Sequence, residues 1–106
     1  MAKERRASRI HEFIKRTVGE IIEEEIERQD VLISVTEVKT SPDLQWADVS
    51  VSIFPYEKHE EIMEILKKRL PFFQALLNTR LKIRHTPKIR FVLDFRLEAG
   101  VVDEGT

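Results

Sequence analysis

Residues Leu66–Arg96, LKKRLPFFQALLNTRLKIRHTPKIRFVLDFR, carry the pattern from which the fold is read. Leu66–Leu70 close an amphipathic helical stretch. Pro71 cannot continue it, because proline lacks the amide hydrogen and its ring crowds the preceding turn, yet its fixed φ suits the first turn of a new helix. Phe72, Phe73, Leu76, Leu77 and Leu81 follow at helical spacing. Two short helices meeting at a kink around Leu70 and Pro71 are therefore predicted. From Lys88 to Phe95 the period falls to two, with Ile89, Phe91, Leu93 and Phe95 as the buried set and Lys88, Arg90 and Arg96 turned outward. Phe72, Phe73, Phe91 and Phe95 all occupy core-like positions in this reading.

Upstream, Ile62, Ile65, Leu66 and Leu70 give the helical period to Tyr56–Leu70, with Glu57, Glu60, Glu61 and Glu64 early and Lys67, Lys68 and Arg69 late. That order agrees with the helix dipole, so part of the basic cluster serves helix stability. Before it, Gln45–Phe54 sets Ala47, Val49, Val51 and Ile53 inward against Asp48, Ser50 and Ser52, and ends at Pro55. Residues 31–40 alternate likewise and then change phase at Glu37 and Val38, which predicts a β-bulge. Ser41-Pro42-Asp43-Leu44 has the composition of a tight turn, so the two strands form an antiparallel hairpin. Trp46, the single tryptophan, falls on the outward set, where it either shields a strand edge or meets a partner. From Arg5 to about Arg28, a stripe of Ile10, Phe13, Ile14, Val18, Ile21, Ile22 and Ile26 predicts a long helix. Gly19 costs about 1 kcal/mol there relative to alanine, which suggests a close contact at that turn. The exposed face of this helix is basic early and acidic late (Glu23, Glu24, Glu25, Glu27), the reverse of what the macrodipole favours, and is read as a solvated face whose basic first turns extend a phosphate-facing surface.

Helix, strand, strand, helix, helix, strand is the expected order, an α+β two-layer sandwich with the helices stacked on one face of three strands. Residues 1–97 are expected to form one domain, and 98–106 a frayed tail. With 42% apolar residues in 106, there is room for one core. No cysteine is present, which excludes disulfides, thiolate nucleophiles and cysteine zinc sites. No apolar run approaches the ~20 residues that span a bilayer, and MAKERRASRI lacks a secretory apolar core. A soluble, cytoplasmic protein is expected.

The net charge of −1 hides a strong segregation. Between Leu66 and Arg96, Lys67, Lys68, Arg69, Arg80, Lys82, Arg84, Lys88, Arg90 and Arg96 stand against Asp94 alone, a local charge of +8. Such a patch is the footprint of a surface that meets polyphosphate. The candidate RNA contacts are Lys67, Lys68, Arg69, Arg80, Lys82, Arg84, Lys88 and Arg90, joined by Arg5, Arg6 and Arg9. Catalysis is not indicated. His11, His59 and His85 lie apart with no metal-ligand spacing, the Glu23–Glu25 and Glu60–Glu61 pairs read as solvated helix charge, and no glycine-rich phosphate loop occurs. No cofactor, metal or small-molecule substrate is expected.

The order α-β-β-α-α-β with a helix-kink-helix before the last strand resembles the bacterial (type II) KH domain, in which a GXXG loop between the helices clamps single-stranded RNA. No GXXG is present here. A narrower resemblance, to the ribosome-binding factor A family of bacterial small-subunit assembly factors, accounts for that, because its KH-like fold has lost the loop. Three pieces carry it: Thr36-Glu37-Val38 leading to Ser41-Pro42-Asp43-Leu44-Gln45-Trp46-Ala47-Asp48-Val49-Ser50-Val51-Ser52, Leu76-Leu77 with the basic run after it, and Arg84-His85-Thr86-Pro87-Lys88-Ile89-Arg90-Phe91. Where the family usually has Ala-x-Gly at the kink, this chain has Arg69-Leu70-Pro71. The resemblance implies a non-enzymatic, monomeric factor that binds the free 30S subunit and 16S rRNA during late maturation, is linked to processing of the 16S rRNA 5′ end, and supports growth in the cold. Two other readings of the residues stay open: a protein-interaction or dimerisation domain, which would bind with a weaker salt dependence, and a free-standing single-strand RNA module, which would show sequence preference for short oligonucleotides.

Overall fold

The computed structural model describes residues 2–96, with side chains from Ser8 onward. The elements are α1 (Ala2–Glu25), β1 (Leu32–Thr40), β2 (Trp46–Phe54), α2 (His59–Lys68), α3 (Leu70–Leu81) and β3 (Lys88–Leu93), with a 3₁₀ turn at Tyr56–Lys58 leading into α2. This is the expected α-β-β-α-α-β order and KH-like α+β architecture. The predicted tail, residues 98–106, lies outside the described residues.

The sheet runs β1-β2-β3, antiparallel between β1 and β2 and parallel between β2 and β3. The bulge falls where the phase changes, the register shifting between Val35 and Glu37. Its extra residue, Thr36, turns its hydroxyl onto Asp94 Oδ2 at 2.7 Å. Arg96, which donates to both oxygens of the Asp94 carboxylate, and then Thr36 hold that carboxyl well below the usual range. The bulge is thereby tied to the segment that follows β3.

Every second residue of β2 is buried, Ala47, Val49, Val51 and Ile53, beneath a helical layer that brings Ile14, Val18, Ile21, Ile62, Leu66, Phe73 and Leu77 onto them. Among the described residues no helix covers the other face of the sheet. At roughly 25 cal/mol per Å2 of apolar surface removed from water, this single core is the main favourable term in folding.

Four expectations are corrected. Phe13 sits at the margin of the α1 stripe and is exposed, with the Arg16 guanidinium 5.4 Å from its ring. Phe72 is 42% exposed, because the buried line of α3 runs through Phe73 and Leu77 instead. The last strand stops at Leu93 and Phe95 is exposed, beyond the Asp94 amide, which still donates to the Val51 carbonyl of β2 at 2.7 Å. Gly19, finally, makes no close contact: a methyl group there would meet nothing within 4 Å. Gly19→Ala is accordingly expected to stabilise the protein by about 1 kcal/mol, through helix propensity and a less disordered unfolded chain. A higher urea midpoint with unchanged m-value is the check; a lower midpoint would reveal a contact.

Candidate nucleic-acid interface

The two helices meet at Arg69, which leaves helical geometry (φ −94°, ψ 10°) between Lys68, the last residue of α2, and Leu70, the first of α3. Pro71 lies in the first turn of α3, where its missing amide hydrogen costs nothing. Arg69 points back across the molecule. Its Nη1 donates to the carbonyl of Glu25 at 2.9 Å, its Nη2 to Glu25 Oε1 at 3.2 Å, and its guanidinium lies 5.0 Å from the Phe72 ring and 5.2 Å from that of Phe73. It therefore closes the C-terminus of α1, where unpaired carbonyls and the negative end of the dipole favour a cation.

Arg80 plays a similar part from the last turn of α3, its Nη2 lying 2.7 Å from Glu24 Oε1. The hydrogen bond from Arg80 holds the Glu24 carboxyl below its ordinary range. The acidic end of α1, which opposes its own helix dipole, is thus a set of tertiary partners for the kink and for α3. Sequence reasoning missed this, although the run Glu23–Glu25 was in view; nothing local showed which cations would reach it.

The remaining candidates lie in three places. Lys67 and Lys68 stand exposed at the end of α2, Lys68 with only a long 4.0 Å contact to Glu64. They border an open groove of about 810 Å3 between α2 and the free edge of β3, floored by Met63, Phe91 and Leu93. Lys82 and Arg84 are exposed in the loop between α3 and β3, with Lys82 in the left-handed region (φ 53°) where α3 ends. Lys88 and Arg90 lie on the open face of the sheet beside Trp46, and Arg90 pairs with Asp48 at 2.8 Å. Among the described residues, Lys67, Lys82, Arg84 and Lys88 form no ion pair. Arg9 is exposed on α1, and the side chains of Arg5 and Arg6 lie outside the described ones.

Gln74 fixes the start of β3. Its side-chain amide donates to the Pro87 carbonyl at 3.0 Å while its oxygen accepts the Ile89 amide hydrogen at 2.8 Å. The edge strand is thus closed where it begins, and the basic loop before it is anchored.

Two of the three histidines have structural neighbours: His11 Nε2 is 2.7 Å from Thr40 Oγ1, and His59 Nδ1 is 2.8 Å from the Tyr56 carbonyl, its ring stacked on that of Tyr56, while His85 is exposed in the loop before β3. Among the described residues no cluster of three metal-ligating side chains forms, and no helix is long and apolar enough to cross a membrane. What the arrangement offers is fixed positive charge on a rigid frame, suited to an extended polyanion.

A family model described as ribosome-binding factor A matches residues 6–103. The ribosome-binding factor A of Clostridium botulinum (strain Hall) is 41% identical over 103 residues, spanning 93% of this chain and 86% of that protein. The crystal structure of ribosome-binding factor A from Thermus thermophilus has a similar fold, with a TM-score of 0.71 at 25% identity over 82% of this chain and 94% of that one. A homology model of the Thermus thermophilus factor, fitted into a cryo-EM map of a complex with 30S, gives a TM-score of 0.67 at 26% identity, over 77% of this chain and 88% of that one.

Proposed function

Because this chain belongs to the ribosome-binding factor A family, we propose that it binds the free 30S subunit through 16S rRNA during late maturation, as a non-enzymatic assembly factor that assists processing of the 16S rRNA 5′ end. In this reading residues 1–97 act as one KH-like domain, monomeric and cytoplasmic, and the requirement for it is greatest in the cold. The observation that carries the reading is a set of cations, Lys67, Lys82, Arg84 and Lys88, without ion-pair partners among the described residues, on the fold of a family with a member placed in a 30S complex. Lysine and arginine bind folded RNA by neutralising phosphates and releasing counterions. No base-reading motif is needed, since an rRNA helix is recognised largely by shape and backbone. Lys68 and Arg9 would add to this surface, and Arg69, Arg80 and Arg90, already paired with carboxylates, would add less.

Sedimentation with separated 30S subunits, 50S subunits and 70S ribosomes at 50 and 200 mM salt tests the proposal. Selective 30S association is expected, weakening by more than tenfold between the two salts. Association with none of the particles, or equally with all, would overturn it. Salt-insensitive association would instead favour a protein contact, for which the opposed Leu32 and Phe54 on the open face, 64% and 62% exposed, offer apolar surface.

A further inference from the structure

Trp46 is held firmly in a position where a core residue would be wasted. Its amide hydrogen is donated to Ser41 Oγ at 3.0 Å and its carbonyl accepts the Ser41 amide at 2.9 Å. The turn that does this is itself satisfied: Ser41 Oγ and the Gln45 amide both donate to Asp43 Oδ1, holding that carboxyl below its ordinary range, and Leu44 adopts a positive φ of 59° to close it. The preceding residue, Gln45, accepts the amide hydrogen of Lys88 at 2.9 Å, which locks the start of β3 beside the indole.

Despite this frame Trp46 is 43% exposed, on the face of the sheet that no helix covers among the described residues. Its neighbours there are charged. Lys88 Nζ lies 5.8 Å and the Arg90 guanidinium 5.3 Å from the ring centroid, and Lys39 stands opposite Asp48 on the adjoining strand. Two cations therefore lie at the ring, and a third, Lys39, faces the neighbouring Asp48, whose carboxylate Arg90 engages.

We infer that Trp46, with Lys88, Arg90 and Lys39, is a stacking site for an unpaired nucleotide of the bound RNA: the base lies on the indole and its phosphates meet the flanking cations. Any base offers a π face, so such a site is tolerant of sequence, and cations held at the ring draw the backbone to it. A second copy of this chain is a poor occupant, because a two-fold contact over this patch would set the same cations against one another. The assignment deepens the rRNA-binding role proposed above and rests on it.

Because Trp46 is the single tryptophan, its emission reports on this site alone. Titration of the full chain with a single-stranded uridine 12-mer is expected to quench that emission saturably and less at higher salt, whereas a hairpin duplex of equal length quenches it weakly. Trp46→Ala is expected to lower affinity for the 12-mer and for 30S subunits about tenfold, and Trp46→Phe, which keeps a ring, by much less. Circular dichroism and melting of both variants confirm the fold. Normal 30S sedimentation by Trp46→Ala together with unchanged wild-type emission on adding RNA would overturn the stacking site and leave the 30S role standing. Failure of the wild-type chain to sediment with 30S would overturn the role and the site with it. Weakened 30S binding by Trp46→Ala without any RNA quenching would assign the indole to a ribosomal protein, and also overturn it.

Discussion

Phe73→Ala is expected to cost about 3–5 kcal/mol, the usual range for truncating a fully buried aromatic. The ring is 1% exposed, meets Phe91 of β3 edge-on at 5.7 Å, and lies under the Arg69 guanidinium. One side chain thus joins the first turn of α3, the edge strand and the cation that closes α1. Against a total stability of roughly 5–15 kcal/mol the loss is severe. At about 4–8 °C per kcal/mol it should lower Tm by about 12–40 °C. The adjacent Phe72 supplies the control. Half-exposed and touching the same arginine, it should cost under about 1 kcal/mol when replaced by alanine. Equal losses for the two variants would mean that the core does not run through Phe73.

The difference between those neighbours shows what was legible in the sequence. Periodicity identified the element order, a bulge near the phase change at Glu37-Val38 and the proline break, because each is written in residues close together in the chain. It could not separate Phe72 from Phe73, since both fall within the arc that a short helix can bury, and the choice depends on where Phe91, distant in the chain, arrives. Nor did alternation alone reveal that β3 ends at Leu93; the period runs on through Phe95, while the pairing with β2 ends with the Asp94 amide on the Val51 carbonyl. The charges behaved in the same way. The basic run around the kink was plain, but that Arg69 and Arg80 face Glu25 and Glu24 follows from how α1 crosses α3. Trp46 was correctly placed outward, while the cations around it became visible only when β3 was laid parallel to β2.

That division of the cations leads to the largest expected effect on binding. The triple reversal Lys67→Glu, Lys82→Glu and Arg84→Glu removes three exposed charges that form no ion pair among the described residues, so the fold should survive. The only structural penalties foreseen are at helix ends, where Lys67 and Lys82 favour the dipole by about 0.3–1 kcal/mol each. If each cation meets one phosphate, it contributes a slope of about −0.9 in log K against log salt, or close to a decade of affinity at 0.1 M relative to 1 M. Three together should weaken 30S binding by roughly a hundredfold to a thousandfold at 0.1 M and reduce the slope by about 3. The contrasting variant is Arg80→Gln, whose charge is held by Glu24: it should lower Tm while changing the salt slope by well under 1. Binding isotherms at four or more salt concentrations separate the two cases. A folded triple variant that binds 30S with wild-type affinity and slope would show that the RNA surface lies elsewhere, and a steep slope change in Arg80→Gln would show that the Glu24 pair opens when RNA arrives.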